Sequence, residues 1–165
     1  MKKEGYVFLS QTDTEVVSHL VDKFYEGNLL AAVYKATAKL RGAYALGVIC
    51  KYNNKELVAV RKHSPLIVGV GEDENFMASD ILAILKYTRK IYFLENDEYV
   101  HMVGENVTRL DENKNKVNKK LNEITWDVEA ASKGGYDHFM LKEIYEQPNG
   151  VKETLIRRLN ANGEI

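Results

Sequence analysis

One cysteine, Cys50, stands in the whole chain. No disulfide framework can form within it, and the fold has to hold by packing, as suits a reducing cytoplasmic setting. No excess of basic charge is present either. The formal net charge is −1, which argues against a nucleic-acid or membrane-surface partner, since both favour a net basic face. No apolar run approaches the roughly 18–20 residues needed to cross a bilayer. Met1-Lys2-Lys3 is followed by Glu4 and Gly5 rather than by an apolar segment, so no secretory signal is legible. Internal repeats and low-complexity tracts are absent. The four histidines, His19, His63, His101 and His138, show no metal-ligand spacing among themselves or with Cys50, and no metal site is expected.

What is present fits one soluble domain with a tail. At 165 residues the chain is long enough to bury a real core. Residues 10–26 read as a helix capped by Thr12 or Asp13, with Val16, Val17, Leu20, Val21 and Phe24 on one face. Gly27 ends it, and a second helix follows with Leu29, Leu30, Val33, Ala36 and Leu40 as its stripe. From residue 43 to 50 a continuous apolar run reads as a strand buried on both faces. A turn at residues 52–55 leads to a returning strand over 57–61. Short strands follow at 65–70 and 75–78, then a short helix over 81–86 capped by Ser79 or Asp80. Further strands are expected at 90–94, 98–103 and 106–110. A polar tip at 111–116 should let 117–123 return. After a break at 133–135, residues 137–147 are helical in pattern. Pro148 opens a new helix, striped by Val151, Leu155, Ile156 and Leu159 and fraying at Asn162-Gly163. Helices first, then a mostly antiparallel set of strands, then a helical extension: the class is α+β.

Few residues carry chemistry on their own. Gly69-Val70-Gly71 is followed by Glu72, Asp73 and Glu74, whose carboxylates would repel a phosphate, so the segment reads as a tight turn. Ser64 beside His63 is no nucleophile–base pair, because neighbouring strand residues face opposite ways. Arg61 and Asp80 bracket this block and read as structural, paired with each other or with the backbone. Cys50 lies inside an apolar strand and reads as a small buried hydrophobe. On the residues alone, Asp13 reads first as a cap for the helix that follows.

Three motifs change the picture. They are Ser10-Gln11-Thr12-Asp13-Thr14-Glu15, then Arg61-Lys62-His63-Ser64-Pro65-Leu66-Ile67-Val68-Gly69-Val70-Gly71 continued by Phe76-Met77-Ala78-Ser79-Asp80, and finally Tyr136-Asp137-His138-Phe139-Met140-Leu141-Lys142-Glu143-Ile144-Tyr145-Glu146-Gln147-Pro148. Their order and spacing resemble the second half of the glutaminase domain, and the start of the linker to the sugar-isomerase domain, in the glutamine:fructose-6-phosphate aminotransferase family. The resemblance runs from Gly5 to about Ile156. It separates this family from other class II amidotransferases, which share the glutaminase core but carry different synthase domains.

The resemblance implies a partial αββα sandwich of the N-terminal-nucleophile (Ntn) hydrolase type over residues 1–135, with the helical linker at 136–165. It implies glutamine as a partner, and fructose 6-phosphate through an isomerase domain that these residues do not include; no metal or organic cofactor is implied. In the family, the thiolate of an N-terminal cysteine attacks the glutamine amide, and the oxyanion is held by an asparagine side chain and a glycine N–H. This sequence begins Met1-Lys2-Lys3, so no catalytic residue carries over, and the isolated chain is expected to release no ammonia. One substrate-binding residue does carry over. Asp13 matches the aspartate that receives the α-amino group of glutamine. A free-standing, non-catalytic binding or assembly module is the alternative reading. Open strand edges around residues 43–50 and 90–94 are expected to make the chain self-associate.

Overall fold

The computed structural model describes residues 1–125, 134–156 and 158. The chain divides into two compact units, Met1–Thr125 and Trp126–Ile165. The first opens with a one-turn 3-10 helix at Lys2–Glu4, followed by α1 (Glu15–Phe24) and α2 (Leu29–Thr37). Seven strands follow: β1 (Tyr44–Cys50), β2 (Asn53–Lys62), β3 (Ile67–Val70), β4 (Asn75–Ala78), β5 (Lys90–Phe93), β6 (Tyr99–Val103) and β7 (Asn106–Leu110). A two-residue strand, β8 (Asn122–Glu123), ends the unit. The strands form two four-stranded sheets in the orders β1-β2-β6-β7 and β4-β3-β5-β8, and every pairing is antiparallel.

The alternation of side chains along each strand builds the layers. On β2, Val58 and Val60 face α1 and α2, while Ala59 between them faces the second sheet. On β3, Val68 points into the space between the sheets, and its neighbour Ile67 points away from it, toward Ile84 and Leu85. Three apolar layers result: helices on sheet, sheet on sheet, and the far face of the second sheet under the segment around residues 81–85. The α+β class and the sandwich are as the sequence indicates.

Several expectations are corrected. The β1 run is not buried on both faces. It is an edge strand whose Tyr44, Leu46, Val48 and Cys50 face the helices and whose Ile49 is 75% exposed. Conversely, the strand at 90–93 is no open edge, because β5 lies between β3 and β8. The segment after the polar tip does not return along β7. Beyond one bridge, Leu110 to Lys116, it crosses to the other sheet and pairs with β5. Its sequence alternates too few apolar residues to hold a strand in the first sheet. The helix expected over 81–86 is a 3-10 turn, Ile81–Ala83, capped by the Asp80 carboxylate, which accepts from Leu82 N at 2.7 Å. Of the two alternatives for Arg61 and Asp80, the backbone one holds: Arg61 donates to Leu94 O at 2.9 Å, and to the Asn96 side chain at 3.4 Å, while Asp80 accepts from Leu82 N.

In the second unit, Pro148 does not open a new helix but lies inside one continuous helix, α3 (Phe139–Ile156). A proline there forfeits one intrahelical hydrogen bond, and the rest of the ladder carries the helix past it. Gly134 and Gly135 hold positive φ angles of 58° and 88°, while Lys133 lies outside the described residues. Leu159 and Asn162-Gly163 lie outside the described residues. Among the described residues, no helix is long and apolar enough to cross a membrane.

Candidate functional site

Asp13 sits in the short turn that feeds α1. The sequence offered Thr12 or Asp13 as the cap of that helix, yet neither fills the role. Thr14 occupies the N-cap position with no side-chain cap bond. Glu15, one residue further on, does the tethering instead. Its carboxylate accepts from Leu9 N and Ser10 N, both at 2.7 Å, and from the Ser10 hydroxyl. These three donors hold the Glu15 carboxyl down at about 2, the Ser10 hydroxyl contributing most. A carboxylate in the first turn is also favoured by the helix dipole. The strap continues through Thr12 N to Ser10 Oγ at 3.4 Å and Thr14 N to Thr12 Oγ1 at 3.3 Å. The Asp13 carbonyl then accepts from Val16 N at 3.2 Å.

This strap leaves the Asp13 carboxylate itself nearly unused. Its one hydrogen bond among the described residues comes from the Thr14 hydroxyl at 3.4 Å. It borders an open pocket of about 610 Å³ whose wall is built from α1, the connection after α2 and the start of β1, including Leu20, Lys39, Arg41 and Tyr44. Tyr44 is half-buried there, and burial pushes its hydroxyl up to about 12. A carboxylate with spare acceptor capacity at the rim of a partly apolar pocket can receive an ammonium group.

The other sequence candidates are placed apart from this pocket. Cys50 ends β1 at partial exposure, packed beneath the helices beside Tyr25, whose hydroxyl is pushed up chiefly by a hydrogen bond with the cysteine. His19 is held edge-on between Tyr6 and Phe8, at ring distances of 5.3 and 4.7 Å. His101 Nε2 lies 2.7 Å from Glu56 across β2 and β6. His63 takes a left-handed backbone with φ of 60°, and its N–H donates to Asn96 Oδ1 at 2.7 Å. Gly71 closes the β3–β4 turn by donating to Glu74 O at 2.9 Å, the tight turn the sequence indicated. Among the described residues, no group of three or more histidine, cysteine or acidic side chains is arranged to hold a metal ion. The functional element that sequence reasoning missed is Glu15. Its only signal is its place as the acidic residue closing the Thr-Asp-Thr-Glu run.

The family described as glutamine amidotransferase domain matches residues 1–86, more than half of the chain and all of the Asp13 pocket. The chain belongs to this glutamine amidotransferase family. Within it, the chain is 53% identical over all its 165 residues to the glutamine--fructose-6-phosphate aminotransferase [isomerizing] of Clostridium acetobutylicum, and 53% identical to that of Clostridium perfringens. The corresponding enzyme of Aquifex aeolicus is 49% identical over 94% of the chain. The chain spans 27% of the length of the first two relatives.

Solved amidotransferases share its fold. Glutamine phosphoribosylpyrophosphate amidotransferase from B. subtilis, complexed with ADP and GMP, superposes with a TM-score of 0.58 at 22% identity, covering 70% of this chain and 26% of its own. The allosteric regulatory enzyme of purine biosynthesis superposes with the same TM-score over 69% of this chain. The glutamine amidotransferase sandwich is therefore the fold of residues 1–125, with its strands in two facing antiparallel sheets.

Proposed function

We propose that this chain is the glutaminase-side segment of an isomerizing glutamine–fructose-6-phosphate aminotransferase. The complete protein would hydrolyse glutamine and pass the ammonia to fructose 6-phosphate, making glucosamine 6-phosphate in the cytoplasm. The observation that carries the reading is the 53% identity to such enzymes over every residue of the chain, because it includes the segment from residue 136 onward as well as the amidotransferase fold. On this reading residues 1–135 belong to the glutaminase domain and 136–165 lead toward the isomerase.

In this proposal Asp13 binds the α-amino group of glutamine. The strap made by Glu15 fixes the turn, and the Asp13 carboxylate keeps its acceptor capacity for the substrate ammonium. The test is Asp13→Asn in the full-length enzyme. Loss of a charge-assisted contact costs about 1.5–3 kcal/mol, so the KM for glutamine should rise roughly ten- to hundredfold. Product formation from free ammonia should stay unchanged. A glutamine KM equal to wild type would remove Asp13 from the substrate site.

The one cysteine of the 165 residues is Cys50, inside β1, where it has no free α-amino group beside it to act as a base. A clean preparation should release no ammonia from glutamine. Activity lost on Cys50→Ala would overturn that expectation. The chain should also self-associate through β1, which pairs only with β2 among the described residues and presents Ile49 to solvent. Such an edge recruits a partner strand. Light scattering that shows a strict monomer across a wide concentration range would refute this.

A further inference from the structure

The seam between the two sheets holds a second site of a different kind. A groove of about 460 Å³ runs beside β7, walled by Val107, Thr108 and Arg109, by the crossing segment Lys116–Lys119 and by Tyr92 of the facing sheet. Among the described residues, three cations line it and no carboxylate does. Its anchor is Arg109, only 5% exposed, with the guanidinium 4.6 Å over the Tyr92 ring. Arg109 Nη2 donates to Glu98 Oε1, both side chains being almost fully buried.

That pair leaves the arginine unfinished. Glu98 Oε2 is already engaged, accepting from Glu95 N at 2.8 Å and lying 3.7 Å from Lys119 Nζ. Arg109 Nε makes no hydrogen bond to it and is buried without an acceptor. Arginine frequently recognises carboxylates with two parallel N–H groups, and the pair with Glu98 uses only Nη2. Nearly all buried polar groups find partners, so the unfilled Nε marks a missing acceptor. Beside it, Lys116 is exposed and makes no ion pair among the described residues, while Lys119 is shared with Glu95 at 2.6 Å. Three cations against Glu95 and Glu98 leave one positive charge, which a singly charged oxyanion would balance.

We propose that this seam groove is an anion subsite for a carboxylate group, with Arg109 as the buried anchor and Lys116 and Lys119 at the mouth. The carboxylate supplies the acceptor that Arg109 Nε lacks, and the Tyr92 ring holds the guanidinium plane in place. Neither the Asp13 pocket nor the glutaminase reading enters into it.

The test is a nuclear magnetic resonance titration of the full 165-residue chain with acetate, following the side-chain Nε–Hε signal of Arg109, assigned by its loss in Arg109→Lys. Sodium chloride at matched ionic strength and inorganic phosphate are the comparison arms. Acetate should shift the Arg109 signal saturably and chloride should not. Lys116→Gln, at an exposed position, keeps the fold and should weaken acetate about tenfold. Equal shifts with chloride, no saturation with acetate, or wild-type affinity in Lys116→Gln would each overturn the site. Tighter binding of phosphate than acetate would overturn its assignment to carboxylates.

Discussion

The helical layer that carries the Asp13 turn is fastened to the first sheet by one buried hydroxyl pair, and the direction of that bond predicts an unequal response to mutation. Thr37 Oγ1 lies 2.7 Å from Tyr99 Oη, and both residues are 5% exposed. The Thr37 hydroxyl also lies 2.9 Å from Val33 O, one helical turn back. A hydroxyl has one proton. If that proton goes to Val33 O, the Tyr99 hydroxyl must be the donor to Thr37. Tyr99→Phe then removes one neutral hydrogen bond and strands no donor, at a cost of about 0.5–1.5 kcal/mol. Thr37→Val keeps the shape and the helix propensity but leaves the Tyr99 O–H buried with no acceptor, at about 1–3 kcal/mol. In a chain of this size each kcal/mol lowers Tm by about 2–4 °C.

The double variant removes the stranded donor together with its lost partner, so it should be more stable than the two single costs added together predict. Burial raises the Tyr99 pKa above that of an ordinary tyrosine, so the difference should be flat between pH 6 and 9. Urea unfolding followed by circular dichroism measures all three variants. Tyr99→Phe costing more than Thr37→Val, or strict additivity of the pair, would refute the assigned direction. The stacking of Tyr34 on Tyr99 at 3.8 Å is common to every variant but the tyrosine ring itself, and Phe preserves it.

Two further outcomes are expected. Glu15 has its folded-state pKa depressed to about 2 from 4.5, so its contribution to stability is complete above about pH 4.5 and is lost as the pH falls toward 2; the Tm gap between wild type and Glu15→Gln should therefore close over that window, and a gap that stays constant with pH would dismiss the strap. An added methyl at Gly69 would meet Thr88 Cγ2 at 2.6 Å and Ile84 Cδ1 at 2.8 Å, and Thr88 is fixed by donating to Val70 O at 2.6 Å, so Gly69→Ala should cost about 1–3 kcal/mol; Gly47→Ala would meet only the flexible end of Met77 and should cost less by calorimetry, the reverse order counting against the packing described.

Most of the local structure was legible because it is periodic. The stripe Val17, Leu20, Val21 and Phe24 lies on the core-facing side of α1, and strands β4 and β7 lie at residues 75–78 and 106–110 as their alternation indicates. The candidate site was legible only as a motif. On the residues alone Asp13 reads first as a cap, since any aspartate before a helix can fill that place, and only the Thr-Asp-Thr-Glu motif names it as a ligand.

Sequence periodicity determines which residues can share a face, and it settled the α+β class and the run of short antiparallel strands. It does not determine which strand lies beside which, since pairing is chosen by contacts between residues far apart in the chain. Only the tertiary structure made β1 an edge and β5 an interior strand, and sent the chain after Leu110 across to the second sheet. The same holds for polar partners. Between the two partners open to Arg61, Asp80 or the backbone, the fold chose Leu94 O; Glu15 rather than Asp13 took the turn's donors, and Arg109 met Glu98 between the sheets. Each choice depends on which groups arrive within about 3 Å of one another in three dimensions, and sequence spacing does not encode that distance.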